Sequence, residues 1–119
     1  IGYALNWPDR AELPVARLDL AEIGQLTFRA PDVARYPALA LARGVMDTGG
    51  LSGAAFNAAK ERALDHFIAG RIGFTQMSGL VEQVLDTLSS DRRLTDAEIT
   101  LDTVLEIDHL SRAGLDRLL

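Results

Sequence analysis

All four prolines of this 119-residue chain, Pro8, Pro14, Pro31 and Pro37, lie in its first third. Proline removes a backbone donor and pushes the residue before it toward extended geometry, so residues 8–35 cannot form one continuous helix. Within that stretch Leu18-Asp19-Leu20 and Leu26-Thr27-Phe28 alternate apolar and polar, as a short half-buried strand does. One or two such strands are not stable alone. Residues 1–35 are therefore expected to form an extended, proline-containing arm that lies on another surface.

After Pro37 the spacing predicts four helices. Pro37 suits a first helical position, where its missing donor costs nothing, and Ala38, Leu41, Ala42, Val45 and Met46 follow at helical intervals. Gly49-Gly50 supplies a left-handed exit. Ser52 is the expected cap of the next helix, with Leu51 stapled onto Phe56 and an apolar face of Phe56, Ala59, Ala63, Leu64, Phe67 and Ile68. Gly70 closes it. Thr75 can cap a third helix with the stripe Met77, Leu80, Val81, Val84, Leu85 and Leu88, broken at Ser89-Ser90-Asp91. For the last helix, Thr95-Asp96-Ala97-Glu98 has the form of a capping box, with Leu94 and Ile99 as its staple. The later cap, Thr100, is preferred because it directly precedes Leu101, Val104, Leu105, Ile107 and Leu110. The expected fold is mainly α: a four-helix bundle over residues 36–119, preceded by the arm with at most one or two short strands.

Composition then removes whole classes of function. With no cysteine there is no disulfide framework, no thiolate metal centre and no thiol nucleophile. The longest apolar run, Ala38 to Ala42, is far below the roughly 18 residues of a membrane span. No signal-peptide pattern opens the chain, which is consistent with a cytoplasmic location. The net charge of −5 and the lack of a basic cluster argue against nucleic acid, whose binding rests on phosphate neutralisation.

Each chemistry-bearing pattern has a plainer reading beside it. Glu106-Ile107-Asp108-His109 is an E-x-x-H of the kind that di-iron bundles use. Glu61 and Glu82 are possible further ligands, but the other histidine, His66, follows Ala63 at the decisive spacing, so a solvated helix face is the better account. The carboxylate pairs Glu61/Asp65, Glu82/Asp86 and Asp102/Glu106 each share a face and read as polar surface. Asp65-His66 with Ser52 or Ser78 lacks a nucleophile elbow. Gly49-Gly50-Leu51-Ser52-Gly53 opens a helix but lacks the phosphate-binding lysine, and Arg92-Arg93 is too short to be more than a loop. No catalytic, cofactor or metal residue is assigned.

Taken in order, the punctuating segments form a recognisable series: Tyr3-Ala4-Leu5-Asn6-Trp7-Pro8-Asp9-Arg10, Leu18-Asp19-Leu20, Gly24-Gln25-Leu26-Thr27-Phe28, Pro31-Asp32, Tyr36-Pro37-Ala38-Leu39, Gly49-Gly50, Asn57-Ala58-Ala59-Lys60-Glu61, Arg71-Ile72-Gly73-Phe74 and Val104-Leu105-Glu106-Ile107-Asp108. This series resembles the C-terminal portion of the 1-deoxy-D-xylulose 5-phosphate reductoisomerase family. Lys60 departs from it, since the family usually has Asn there. The resemblance implies a parent enzyme of the non-mevalonate isoprenoid route that uses NADPH and a divalent cation, Mg or Mn, and is a homodimer. Its metal, phosphate and lid residues would all lie upstream of Ile1.

On that basis residues 1–35 are expected to be the tail of the central catalytic domain plus the connecting arm. Residues 36–119 are the helical bundle, a non-catalytic support whose partner is the catalytic domain of its own chain. The alternative is an autonomous helical interaction module, or a metal-binding bundle. Apolar arm residues such as Trp7, Leu18, Leu20, Leu26 and Phe28 would favour self-association when uncovered.

Overall fold

The computed structural model describes residues 1–90 and 94–119, in two compact units, Ile1–Ala30 and Pro31–Leu119. The first holds two single helical turns, α1 (Gly2–Leu5) and α2 (Leu20–Ile23). Asp19 starts α2: its side chain accepts from the backbone N–H of Ala21 at 2.9 Å and of Glu22 at 3.2 Å. The strand expected at Leu18-Asp19-Leu20 is therefore replaced by a capped turn, because a short aspartate side chain outcompetes ladder pairing for nearby donors. Leu26-Thr27-Phe28 lies outside any helix, and no strand exists among the described residues. Tyr3 meets Trp7 edge-on at 5.4 Å between ring centroids, and the Arg10 guanidinium lies 4.2 Å over the Tyr3 ring. Trp7, Leu18 and Phe28 remain 70%, 81% and 86% exposed.

The second unit contains α3 (Pro37–Thr48), α4 (Ser52–Ile68), α5 (Gln76–Ser90) and α6 (Leu101–Asp116). Asp32 gathers the backbone N–H groups of Ala34 and Arg35 at 3.0 Å each, and Pro37 then opens α3 as its spacing predicts. Gly49 and Gly50 both take positive φ, at 68° and 56°. Gly50 is required for a second reason: a Cβ there would run into the backbone carbonyl of Leu94, the same carbonyl that accepts from Leu51 N–H at 2.8 Å.

Ser52, expected as the cap of α4, does the reverse. Its hydroxyl donates to the carbonyl of Val45 at 3.0 Å and to that of Gly49, so it seals the end of α3 instead of the start of α4. Thr100 caps α6 as predicted: it accepts from Thr103 N–H at 3.2 Å while its own N–H donates to the Thr103 hydroxyl at 2.9 Å. The Thr95–Glu98 segment is a turn. Its expected staple does not form, because Leu94 is buried while Ile99 is 65% exposed. Asp91, Arg92 and Arg93 lie outside the described residues.

Helices α4, α5 and α6 pack on one another around Ala55, Ala59, Ala63, Val81, Val84, Leu85, Leu88, Ile107 and Leu115, with Leu51, Ile72 and Leu94 closing the ends. The α5 stripe is the predicted one. The α4 stripe is so only in part: Ala59 and Ala63 are buried and Phe56 packs against the core, as expected, but the rest of the face is rotated. It buries Ser52, Ala55, Ala58, Ala59, Ala63 and His66 and leaves Leu64, Phe67 and Ile68 at 43%, 38% and 75% exposure. Small side chains allow close approach of helix axes, and α4 packs on α3, α5 and α6, most extensively on α6. Likewise α6 buries Ile107, Ser111 and Leu115, and turns Leu101 and Leu105 outward at 73% and 59% exposure. Ser111 fits that interior because its hydroxyl donates to the Ile107 carbonyl, 2.6 Å away. Helix α3 lies on α4 and α5 and buries no residue completely.

Candidate functional site

The polar chemistry of the second unit gathers on the seam between α4 and α6. Arg62 and His66 sit one turn apart on α4, and both reach Asp116 at the end of α6. Arg62 Nε donates to Asp116 Oδ1 at 2.7 Å and Nη2 to Oδ2 at 3.0 Å, a bidentate pairing. His66 Nε2 lies 2.6 Å from the same Oδ1, with its ring almost wholly buried. Hydrogen bonds from Arg62 and His66 hold the Asp116 carboxyl down at about 2. An ionised carboxylate can only accept, so Nε2 of His66 carries the proton, and the buried Nδ1 has no hydrogen-bond partner among the described residues.

One turn toward the middle of the seam, Arg112 repeats the device. Its Nε and Nη2 grip Asp108 at 2.8 and 3.1 Å, and Nη2 also reaches Glu61 Oε2 across the helix pair at 2.6 Å. The guanidinium lowers both carboxyls, and Asp108 and Glu61 in turn raise Arg112.

These pairings dispose of the sequence candidates one by one. Glu61 serves Arg112, and Asp65 lies 3.5 Å from Arg62. His66 faces Asp116 and not Ser52 or Ser78, so no nucleophile and base come together. Glu82 and Asp86 line an open groove of about 520 Å³ with Leu41 and Leu85. His109 and Asp102 are surface residues of α6, and among the described residues no three His, Asp or Glu side chains are placed to hold a metal ion. The donor set on the seam is thus arginine-saturated carboxylate, which ties helices together and does not fit a divalent cation. Arg62, Arg112, Asp108 and Asp116 were missed from sequence. The i,i+4 spacings of Arg62/His66 and Asp108/Arg112 were visible, but the crossings between helices were not.

A family model described as the DXP reductoisomerase C-terminal domain matches residues 1–114. The chain belongs to that family. Among curated DXP reductoisomerases it is 72% identical to that of Ruegeria pomeroyi over 98% of its own length and 29% of the relative's. It is 51% identical to that of Sinorhizobium fredii over 97% and 29%. Its fold is similar to the solved DXP reductoisomerase of Zymomonas mobilis in complex with NADPH, with a TM-score of 0.80, 37% identity, and coverage of 98% of this chain and 30% of that one. A second solved reductoisomerase, in complex with NADPH, fosmidomycin and magnesium, is 31% identical at the same TM-score of 0.80. The chain therefore spans about 30% of the length of the reductoisomerases it matches.

Proposed function

We propose that this chain is the helical support domain of a DXP reductoisomerase and supplies no catalytic, cofactor-binding or metal-binding residue. The parent would rearrange and reduce 1-deoxy-D-xylulose 5-phosphate to 2-C-methyl-D-erythritol 4-phosphate with NADPH and a divalent cation, as a cytoplasmic homodimer in non-mevalonate isoprenoid synthesis. The observation that carries this reading is one of coverage. Nearly the whole chain matches, yet it accounts for 30% of the solved relative that binds NADPH. The arginine-saturated seam agrees with it, since those carboxylates hold helices and are not free for acid–base work. Residues 1–35 are the tail of the catalytic domain and its connecting arm, and 36–119 the bundle. A packed bundle holds catalytic geometry from behind without touching substrate.

Calorimetric titration of the 119-residue chain with NADPH tests this. No binding heat and no NADPH oxidation in the presence of substrate are the expected results. Saturable NADPH binding would overturn the assignment.

A further inference from the structure

The second unit carries two exposed surfaces whose shape and charge match. The first is a groove of about 550 Å³ between α3, α4 and α5, walled by Leu39, Phe56, Phe74 and Met77 and edged by Arg35 and Lys60. Among the described residues those two cations are the only charged ones that line it, in a chain whose net charge is −5. Leu39 and Phe74 are 45% and 72% exposed, so the groove is open to an occupant.

The second surface is the start of α6. Leu101 and Leu105 stand one turn apart on one face, 73% and 59% exposed, with Ile99 at 65% just before them. Beside that strip stand the exposed Glu98 and Asp102, and from Thr95 to His109 the sequence holds no lysine or arginine; Asp108 is turned to Arg112 instead. An apolar strip with acidic flanks thus faces outward on one helix, and an apolar groove with a cationic edge opens on three others.

Helix α3 packs on α4 and α5 but does not approach α6, which packs on the same two helices. The groove and the strip therefore lie on opposite sides of the α4–α5 pair, and a chain cannot fill its own groove with its own strip. We infer that the α6 strip of one copy seats in the α3–α4–α5 groove of a second copy, head to tail. Leu101 and Leu105 enter the groove, and the acidic flank of α6 meets Arg35 and Lys60. Because the two surfaces differ, the contact is heterologous and propagates beyond a dimer unless its rotation closes a ring. A single helix face in a groove is a small interface, so association is weak and concentration-dependent. This concerns the 119-residue chain itself and stands apart from the proposed support role.

Sedimentation equilibrium with two blocked variants tests it. L101E/L105E lacks the strip and L39E/K60E lacks the groove edge, and all four positions face solvent, so circular dichroism should show both folded. With rising concentration the unmodified chain is expected to exceed twice its 12.9 kDa mass, with each variant alone monomeric over the same range. An equimolar mixture of the two should form a 1:1 dimer and nothing larger, because it contains one competent groove and one competent strip. The inference is overturned if the unmodified chain stays monomeric, if the mixture stays monomeric, or if either variant associates as the unmodified chain does. It is equally overturned if association vanishes only on deleting residues 1–30, which would assign it to the arm.

Discussion

His66 on α4 and Asp116 on α6 are joined at 2.6 Å, with the ring buried and the carboxylate 42% exposed. The contact brings a residue near the C-terminal end of one helix to the last residue of another, fifty positions on in sequence. Asp116 is shared with Arg62, so a single carboxylate fixes the relative rotation of both helices.

Asp116→Asn removes the charge that both donors address. Hydrogen bonds to charged groups are worth about 1.5–3 kcal/mol when well shielded, and partial exposure places this one nearer 1 kcal/mol. The urea midpoint should fall accordingly, and the His66 ring resonances should shift in the NMR spectrum as Nε2 loses its anionic acceptor.

The same carboxylate sets an acid limit. Asp116 is held at about 2 in the fold, against an ordinary value near 3.9 in an unfolded chain. A lowered folded value means stability that is fully present above the unfolded value and lost as pH falls through the folded one. Glu61 and Asp108 are lowered as well and act with the same sign. Stability should therefore fall between about pH 4 and pH 2, and Asp116→Asn should flatten that slope in urea titrations across the range.

Leu115 is fully buried, so Leu115→Ala should cost about 2–5 kcal/mol in thermal or urea unfolding. Phe67→Ala should cost much less, because that ring is 38% exposed and meets Phe74 at 5.8 Å toward the surface. Sequence alone placed Phe67 in the core. The Phe67 variant tests which stripe of α4 is buried, with Leu115→Ala on α6 as the fully buried reference.

Gly50→Ala combines a left-handed backbone, φ 56°, with a Cβ directed at the Leu94 carbonyl. Left-handed strain for a non-glycine residue is of order 1–2 kcal/mol, and the clash adds to it. Gly49→Ala meets no clash but would hold alanine at φ 68°, ψ −147°, a region essentially restricted to glycine, so it too should lower the melting temperature.

What sequence showed well was local. Pro37, Gly49-Gly50, Gly70 and Thr100 act on neighbouring backbone groups, so their helix ends could be placed before any packing was known. The α5 stripe was legible too, because that helix has one apolar face. The face expected for α4 mixed small and bulky residues: Ala59 and Ala63 are buried and Phe56 packs on the core, while Leu64, Phe67 and Ile68 lie toward solvent. Hydropathy ranks the bulky residues first, whereas close packing on α6 and α5 selects the small ones Ala55, Ala59 and Ala63. The seam was illegible for a different reason: Arg62 with Asp116 and Arg112 with Glu61 are cross-helix choices, and helix rotation decides them. The resemblance identified the family from the order of turns and segment ends, which are the features least sensitive to that rotation.

The most direct test of the support role is kinetic. The Ruegeria pomeroyi relative, carrying this chain in place of its matching segment, should be compared with the same hybrid bearing Leu115→Ala. If the bundle acts only by holding the catalytic part in shape, kcat falls in step with thermal stability while KM for substrate and for NADPH stays fixed. A changed KM at unchanged stability would contradict the account and place part of the bundle in the active site.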